Sequence, residues 1–231
     1  TWTGCVPSKA LLASAARAHD VRTAADFGVK VGGTDNVEVV MAAVKARVER
    51  IIGKIYDADD SPEALKKLGI DTITGSARIV DRTKVSVTGV STPAVEEYKA
   101  AKGIVIATGA RPRAPKIAGL EGVPYMTYES IFELDSLPAR LTVVGGGPIG
   151  CELSQAFARL GSSVTLVASA ILPGHEPEAS RDLQQALAAD GVTLVQARAD
   201  SVEASGAGGH KLTCSDGTVV DGTALLVAAG R

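Results

Sequence analysis

The chain has 231 residues with 24 Lys+Arg against 26 Asp+Glu, a formal charge of −2, and a hydrophobic content of 45%. That balance gives no basic footprint for nucleic acid or an anionic membrane, and no apolar run reaches the length of a membrane span. The length allows one large or two small domains with real cores, and cysteines at positions 5, 151 and 214 form neither a disulfide framework nor a zinc spacing, so a reducing, cytoplasmic location is expected.

In chain order, Gly4-Cys5-Val6-Pro7-Ser8-Lys9 comes first and sets a thiol and a lysine around an expected helix start. Pro7 suits the first helical position, which places Cys5 where unpaired amide N–H groups and the helix dipole favour negative charge. Lys9 adds a second positive influence, and both favour the nucleophilic thiolate. The ordinary alternative is a buried, inert cysteine.

Val37, Val40, Met41, Val44, Val48, Ile51, Ile52 and Ile55 then recur at helical spacing and predict one packing helix. Ser61-Pro62-Glu63 supplies a cap, a proline and an acid for a short helix that Gly69 ends. From Ile70 to Val90 the pattern predicts antiparallel hairpins, with Ile79, Val85 and Val87 among polar partners and Gly75 and Asp81-Arg82 as breakers. Gly103 to Ala107 reads as a short buried strand.

Beyond Leu137-Pro138 the pattern is strand (141–144), glycine cluster, helix (150–160), a stop at Gly161, and strand (163–167). A further helix is expected over Ser180–Ala189 and a strand over Val192–Val195. Gly206 to Gly209 reads as a turn, Lys211–Cys214 and Thr218–Asp221 as a hairpin around Asp216-Gly217, and Leu225–Ala228 as a last buried strand.

Gly145-Gly146-Gly147-Pro148-Ile149-Gly150 is a GxGxxG pattern, weak alone but here lying between a predicted strand and a predicted helix. In that setting Gly145 takes the tight turn, Gly147 admits a pyrophosphate and Gly150 allows close helix packing, with the anion on the free N–H groups of the helix start. A carboxylate that would read the adenosine ribose is expected about 20 residues on. Ala168-Ser169 stands there instead, with no acid before Glu176 and no arginine before Arg181, a lean towards NADPH. Glu152 reads as a solvated first-turn acid. Cys151 reads as a small buried hydrophobe and Cys214 as part of a hairpin strand. His19, His175 and His210 have no partners at ligand or triad spacing, so neither a metal site nor a histidine catalyst is assigned.

Gly4 to Lys9 resembles the redox-active segment of the FAD-dependent pyridine nucleotide-disulfide oxidoreductases, and Ser8 fits the dihydrolipoamide dehydrogenase and mercuric reductase branches. Trp2-Thr3 departs from the family's usual residues. The resemblance implies that Cys5 is the second cysteine of a redox disulfide whose first member would precede Thr1. It pairs Lys9 with Glu152 beside the flavin and makes Cys5, Lys9 and Glu152 the catalytic set. It lays Ala107-Thr108-Gly109-Ala110-Arg111-Pro112 along FAD, with Ala228-Ala229-Gly230-Arg231 as a second such segment bearing Ala229 in place of threonine. The cofactor-binding residues so implied are Gly4, Lys9, Thr108, Gly109, Gly145, Gly147, Pro148, Ile149, Gly150, Glu152, Ala168 and Gly230. Pro148 stands where several members carry an aromatic gate, which implies an open nicotinamide site.

The implied architecture is α/β, two nested Rossmann-like domains with β-hairpin insertions, both truncated. Residues 1–137 would be part of an FAD-binding domain and 138–231 an NAD(P)-binding domain. The first FAD fingerprint would lie upstream, and the closing strand and a dimer domain carrying the acid/base histidine downstream. The whole protein, expected to be a homodimer, would pass electrons from NAD(P)H through FAD to the disulfide and on to a thiol, disulfide or metal-ion substrate. The 231 residues alone would be inactive. A single-cysteine flavin oxidase or peroxidase and a redox-inactive nucleotide-binding module are the alternatives.

Overall fold

A computed structural model describes residues 2–32, 37–89, 95–206 and 208–230. Val90, Ala207 and Arg231, which fall in the expected hairpin region, turn and second flavin segment, lie outside the described residues. The chain divides into two compact units, Thr1–Gly53 with Arg111–Arg231, and Lys54–Ala110.

In the larger unit, helix α1 spans Cys5–Thr23 and helix α2 spans Met41–Ile55, its last residues passing into the smaller unit. Pro7 is the third helical residue of α1 rather than the first, with Gly4 as the cap. The first-turn N–H groups have no intrahelical acceptor, so proline is tolerated there as well. Helix α2 begins at Met41, not Val37, because the Val40 carbonyl accepts the first helical bonds, from Ala43 N–H and Val44 N–H.

The smaller unit contains a π-helical turn at Tyr56–Asp60 and the short helix α3, Pro62–Lys67. Ser61 Oγ caps α3 by accepting from Ala64 N–H at 3.2 Å. Gly69, at φ +77°, closes it, with Gly69 N–H on the Lys66 carbonyl and Ile70 N–H on that of Leu65, the paired bonds that satisfy helix-end carbonyls. Strands β1 (Gly75–Ile79), β2 (Lys84–Gly89) and β3 (Val95–Lys99) form an antiparallel sheet in that order. Residues 103–109 are not a strand, and Val105 and Ile106 are 89% and 69% exposed. A strand of the buried type needs neighbours to complete its ladder, and no described strand pairs with this run.

Strands β4 (Arg140–Val144), β5 (Ser163–Val167), β6 (Thr193–Val195) and β10 (Ala224–Val227) form a parallel sheet in the order β10-β4-β5-β6. Helix α4 (Pro148–Leu160) connects β4 to β5 and α5 (Pro177–Ala189) connects β5 to β6. Strands β7 (Ala199–Ser205), β8 (Gly209–Cys214) and β9 (Val219–Gly222) form an antiparallel sheet.

Strand periodicity assigns the two faces. Leu141 and Val143 of β4 and Leu226 of β10 pack with α1, α2 and α4, while Val144, Leu225 and Val227 pack with Val202, Leu212 and Val220 of the antiparallel sheet. Burial on both faces explains why these parallel strands read as continuous apolar runs. Phe157 and Leu160 of α4 are buried against the sheet, each contributing about 1.5–3 kcal/mol.

A polar pair stitches the two sheets together. His210 of β8, 1% exposed, places Nε2 at 2.9 Å from Oγ1 of Thr142 on β4. Gly222 of β9 makes room for the pair, since a Cβ there would lie 2.3 Å from His210 Cε1 and 2.6 Å from Thr142 Oγ1. Burial holds the His210 pKa below its ordinary value, against Asp221, which raises it, and with Arg140, which lowers it further. The folded state therefore binds fewer protons than the unfolded chain as His210 titrates. This stability contribution is full above the ordinary histidine pKa of about 6.5 and is lost as pH falls towards the depressed folded value. Urea unfolding at pH 8 and pH 5 should show a larger acid loss in the wild type than in His210→Gln. Equal losses would show that His210 takes up its proton as readily in the fold as in the unfolded chain.

Candidate active site

The glycine loop follows the end of β4 and opens α4. Gly145 has φ +122°, and a Cβ there would lie 2.4 Å from the Ala228 carbonyl oxygen at the end of β10. A Cβ on Gly150 would lie 1.9 Å from the Gly145 carbonyl oxygen. Gly147 caps α4 with no side-chain partner, and a Cβ there would enter open space. Two of the three positions thus need glycine for packing, and Gly147 leaves the helix start accessible. An anion seated there meets unpaired N–H groups and the positive end of the helix dipole.

The open space is part of a cleft of about 760 Å³ whose lining includes Gly145–Ile149, Ala168–Ala170 and Ala228–Gly230. It lies at the carboxyl ends of the parallel strands, where β5 and β10 leave β4 in opposite directions, the usual ligand position in open α/β sheets. These residues fit a dinucleotide: a glycine cradle at a helix start, apolar walls, and no Asp or Glu among the lining. Sequence spacing did not reveal Arg113, Lys116 and Arg198, which also line it. It also missed Leu172, which holds φ +47° while its N–H donates to the Gly146 carbonyl at 2.7 Å. A left-handed conformation costs a side-chain-bearing residue about 1–3 kcal/mol, and here it ties the segment after β5 to the glycine loop.

Cys5 is the first residue of α1, exposed and not in a disulfide. Helices α1 and α4 pack together, with Ala10, Leu11, Ala15 and Ala18 buried on α1. One turn beyond Cys5, Lys9 Nζ donates to Oε1 of Glu152 on α4. Lys9 and Glu152, both in the larger unit, link the helix bearing the thiol to the helix opened by the glycine loop. Gly4 and Gly230 lie in the same unit, Gly230 at φ +121° with its carbonyl accepting from Arg113 N–H at 3.0 Å. Thr108 and Gly109 belong to the smaller unit, in an exposed segment without regular secondary structure, with Gly109 at φ +72°.

Cys151 is buried on α4 and donates through Sγ to the Gly146 carbonyl at 3.4 Å. Burial pushes its pKa up to about 11. Burial also raises that of Cys214, assisted by Asp216 and Asp200. At pH 8 about a thousandth of Cys151 is thiolate. With the whole protein reduced, iodoacetamide followed by peptide mapping should therefore modify Cys5 while Cys151 and Cys214 stay protected until denaturant is added. Native labelling of Cys151 as fast as Cys5 would contradict the buried placement.

His175 is exposed, and His210 serves the sheet pair described above. His19 has a partner that spacing did not reveal, Asp190, with Nδ1 to Oδ1 at 3.4 Å. Among the described residues no cluster of His, Cys, Asp or Glu could hold a metal ion, and no helix is long and apolar enough to cross a membrane.

The whole sequence, residues 1–231, matches the model of the pyridine nucleotide-disulphide oxidoreductase family. The mercuric reductase of Lysinibacillus sphaericus is 34% identical over 99% of this chain and 41% of its own length. An NAD(P)H dehydrogenase (quinone) of Mycobacterium tuberculosis (strain ATCC 25618 / H37Rv) is 32% identical over 98% of this chain and 46% of its own. The crystal structure of LpdA from Mycobacterium tuberculosis superposes with a TM-score of 0.80 at 31% identity, covering 99% of this chain and 49% of that one. The chain thus spans less than half the length of these relatives. A family match over its full length, carried on a sheet, glycine loop and cleft built for a dinucleotide, makes this chain a member of the pyridine nucleotide-disulphide oxidoreductases.

Proposed function

We propose that the whole protein is an NAD(P)H-dependent FAD disulfide reductase in which Cys5 is the flavin-side thiol of a redox disulfide. The observation that carries this reading is the Lys9–Glu152 pair, which joins the helix bearing an exposed Cys5 to the helix that opens the dinucleotide cleft. Residues 1–137 are assigned to the FAD-binding domain and 138–231 to the NAD(P)-binding domain. When bound, NAD(P)H supplies the hydride and FAD relays its electron pair.

The chain's own residues do the rest. Gly145, Gly147 and Gly150, with Pro148 and Ile149, shape the cradle for the pyrophosphate, and Ala168 lies by the adenosine end. Gly4 and Gly230 take the flavin. Reduction adds two electrons and one proton to the disulfide, which breaks the S–S bond and leaves Cys5 as thiolate and its partner as thiol. The first-turn N–H groups of α1 and the Lys9 ammonium stabilise that negative charge. Glu152 holds the ammonium in place through its ion pair with Lys9. The partner thiol, once deprotonated, exchanges with a disulfide substrate or ligates a metal-ion substrate. The protein works as a cytoplasmic homodimer, and these 231 residues alone are inactive.

Anaerobic titration of the whole flavoprotein with NAD(P)H tests the reading. It should take up one hydride equivalent beyond the flavin's own and develop a long-wavelength thiolate-to-flavin charge-transfer band. Cys5→Ser should remove both. A band that persists in Cys5→Ser would refute the assignment, and uptake by the flavin alone would show that Cys5 belongs to no reducible disulfide.

A further inference from the structure

We propose that Arg198 is the specificity-determining residue of the dinucleotide cleft, holding the 2′-phosphate of NADPH; this rests on the nucleotide reading given above. A dinucleotide with its pyrophosphate at Gly147 directs its adenosine ribose to the end of β5. There Ala168, Ser169 and Ala170 line the cleft without a carboxylate to accept the 2′-hydroxyl. The recognising group comes from the next strand. Val167 pairs with Val195 of β6, and Ala168 N–H donates to the Val195 carbonyl at 3.0 Å. Arg198 follows three residues after Val195 and lines the same cleft as Ser169.

Arg198 is held for that task. Its backbone N–H donates to Ser215 Oγ at 3.2 Å, and its carbonyl accepts from Ser215 N–H at 2.8 Å. Its side-chain Nε donates to Asp200 Oδ1 at 2.9 Å. Asp200 therefore takes one edge of the guanidinium and orients it, and the terminal nitrogens present the planar fork that binds phosphate oxygens in pairs. Lys116 adds charge to the same wall: it precedes Ala118 by two residues, and Ala118 N–H donates to the Asp200 carbonyl at 2.9 Å. With Arg113 the lining carries three cations and no Asp or Glu. Arg113 donates to Gly230 beyond β10, on the opposite side of β4 from β5, so the adenosine end belongs to Arg198.

The test compares Arg198→Ala and Arg198→Lys with the wild-type whole flavoprotein, using calorimetric binding of 2′,5′-ADP and 5′-AMP and kcat/KM with NADPH and NADH. Arg198→Ala should weaken 2′,5′-ADP about ten- to hundredfold, the range for a hydrogen-bonded charge. It should change 5′-AMP by less than about threefold, as for an ordinary surface substitution. The NADPH-to-NADH ratio of kcat/KM should fall in step with 2′,5′-ADP binding, and Arg198→Lys, keeping a point charge without the fork, should fall between. Equal weakening of both ligands, or no change in either, would overturn the role of Arg198 while leaving the cleft a nucleotide site. A wild-type protein that binds neither ligand and uses neither cofactor would overturn the nucleotide reading itself.

Discussion

Gly150→Ala is expected to lower stability and weaken dinucleotide binding together, whereas Gly147→Ala is expected to weaken binding with the fold intact. A Cβ on Gly150 sits 1.9 Å from the Gly145 carbonyl oxygen, a backbone atom that cannot swing aside as a side chain does. Helix α4 would have to withdraw from the end of β4, at the roughly 1–3 kcal/mol typical of overpacking or more. That withdrawal would also displace the N–H groups that face the pyrophosphate. At Gly147, φ −74° and ψ 176° suit any residue and the space is open. The added methyl meets only the ligand, and keeping the pyrophosphate off the helix start should weaken binding at least about tenfold, the scale of a lost charge-assisted contact. Thermal melts and NAD(P)H titrations of the two variants separate the effects. An unchanged melting temperature for Gly150→Ala would mean that the helix is not packed as described, and unchanged affinity for Gly147→Ala would place the pyrophosphate elsewhere.

That contrast was partly legible in the sequence. Strand β4, the glycine loop, α4 and β5 were readable because each signal is local: apolar runs, glycines at fixed offsets, and Gly161 at φ +116° ending the helix. Strand β7 was hidden because a register shift between Ala199 and Ser201 breaks its two-residue alternation. Strand β3 was hidden because Val95–Lys99 is exposed throughout and carries no buried face. Helix α1 left little periodic signal because its packed face is largely alanine, although its start was marked by Gly4 to Lys9. At the site, Cys5, Lys9 and the glycines could be named from motifs. Arg198 could not, since its relevance depends on β6 lying beside β5, and that is a property of strand order. The Thr142–His210 and His19–Asp190 pairs join residues 68 and 171 positions apart, with nothing local to announce them.

The last of these pairs belongs to a network with a large expected effect on stability. Asp190, just past α5, has a side chain only 6% exposed. It receives Gln155 Nε2 at 2.6 Å and Arg159 Nε at 3.0 Å, with Arg159 Nη2 also at 3.0 Å, all from α4. His19 of α1 approaches at 3.4 Å. A carboxylate at the negative end of a helix is unfavourable by itself, and the forked contact with Arg159 offsets this and holds it in place. Nearby, Arg22 Nη1 donates to the Arg159 carbonyl and ties the end of α1 to α4. Asp190→Ala would leave Arg159 and Gln155 without that partner. Breaking a buried pair costs about 3–5 kcal/mol, reduced here to roughly 2–3 kcal/mol because Arg159 is 28% exposed and regains water. For a chain of this size that predicts a melting temperature lower by about 4–12 °C. Asp190→Asn, which retains an acceptor for Gln155 but loses the charge, should fall between. A shift below about 1 °C for Asp190→Ala would show that the network behaves as a surface ion pair. Helix α1 would then be fixed against α4 by its alanine face and the Lys9–Glu152 contact alone.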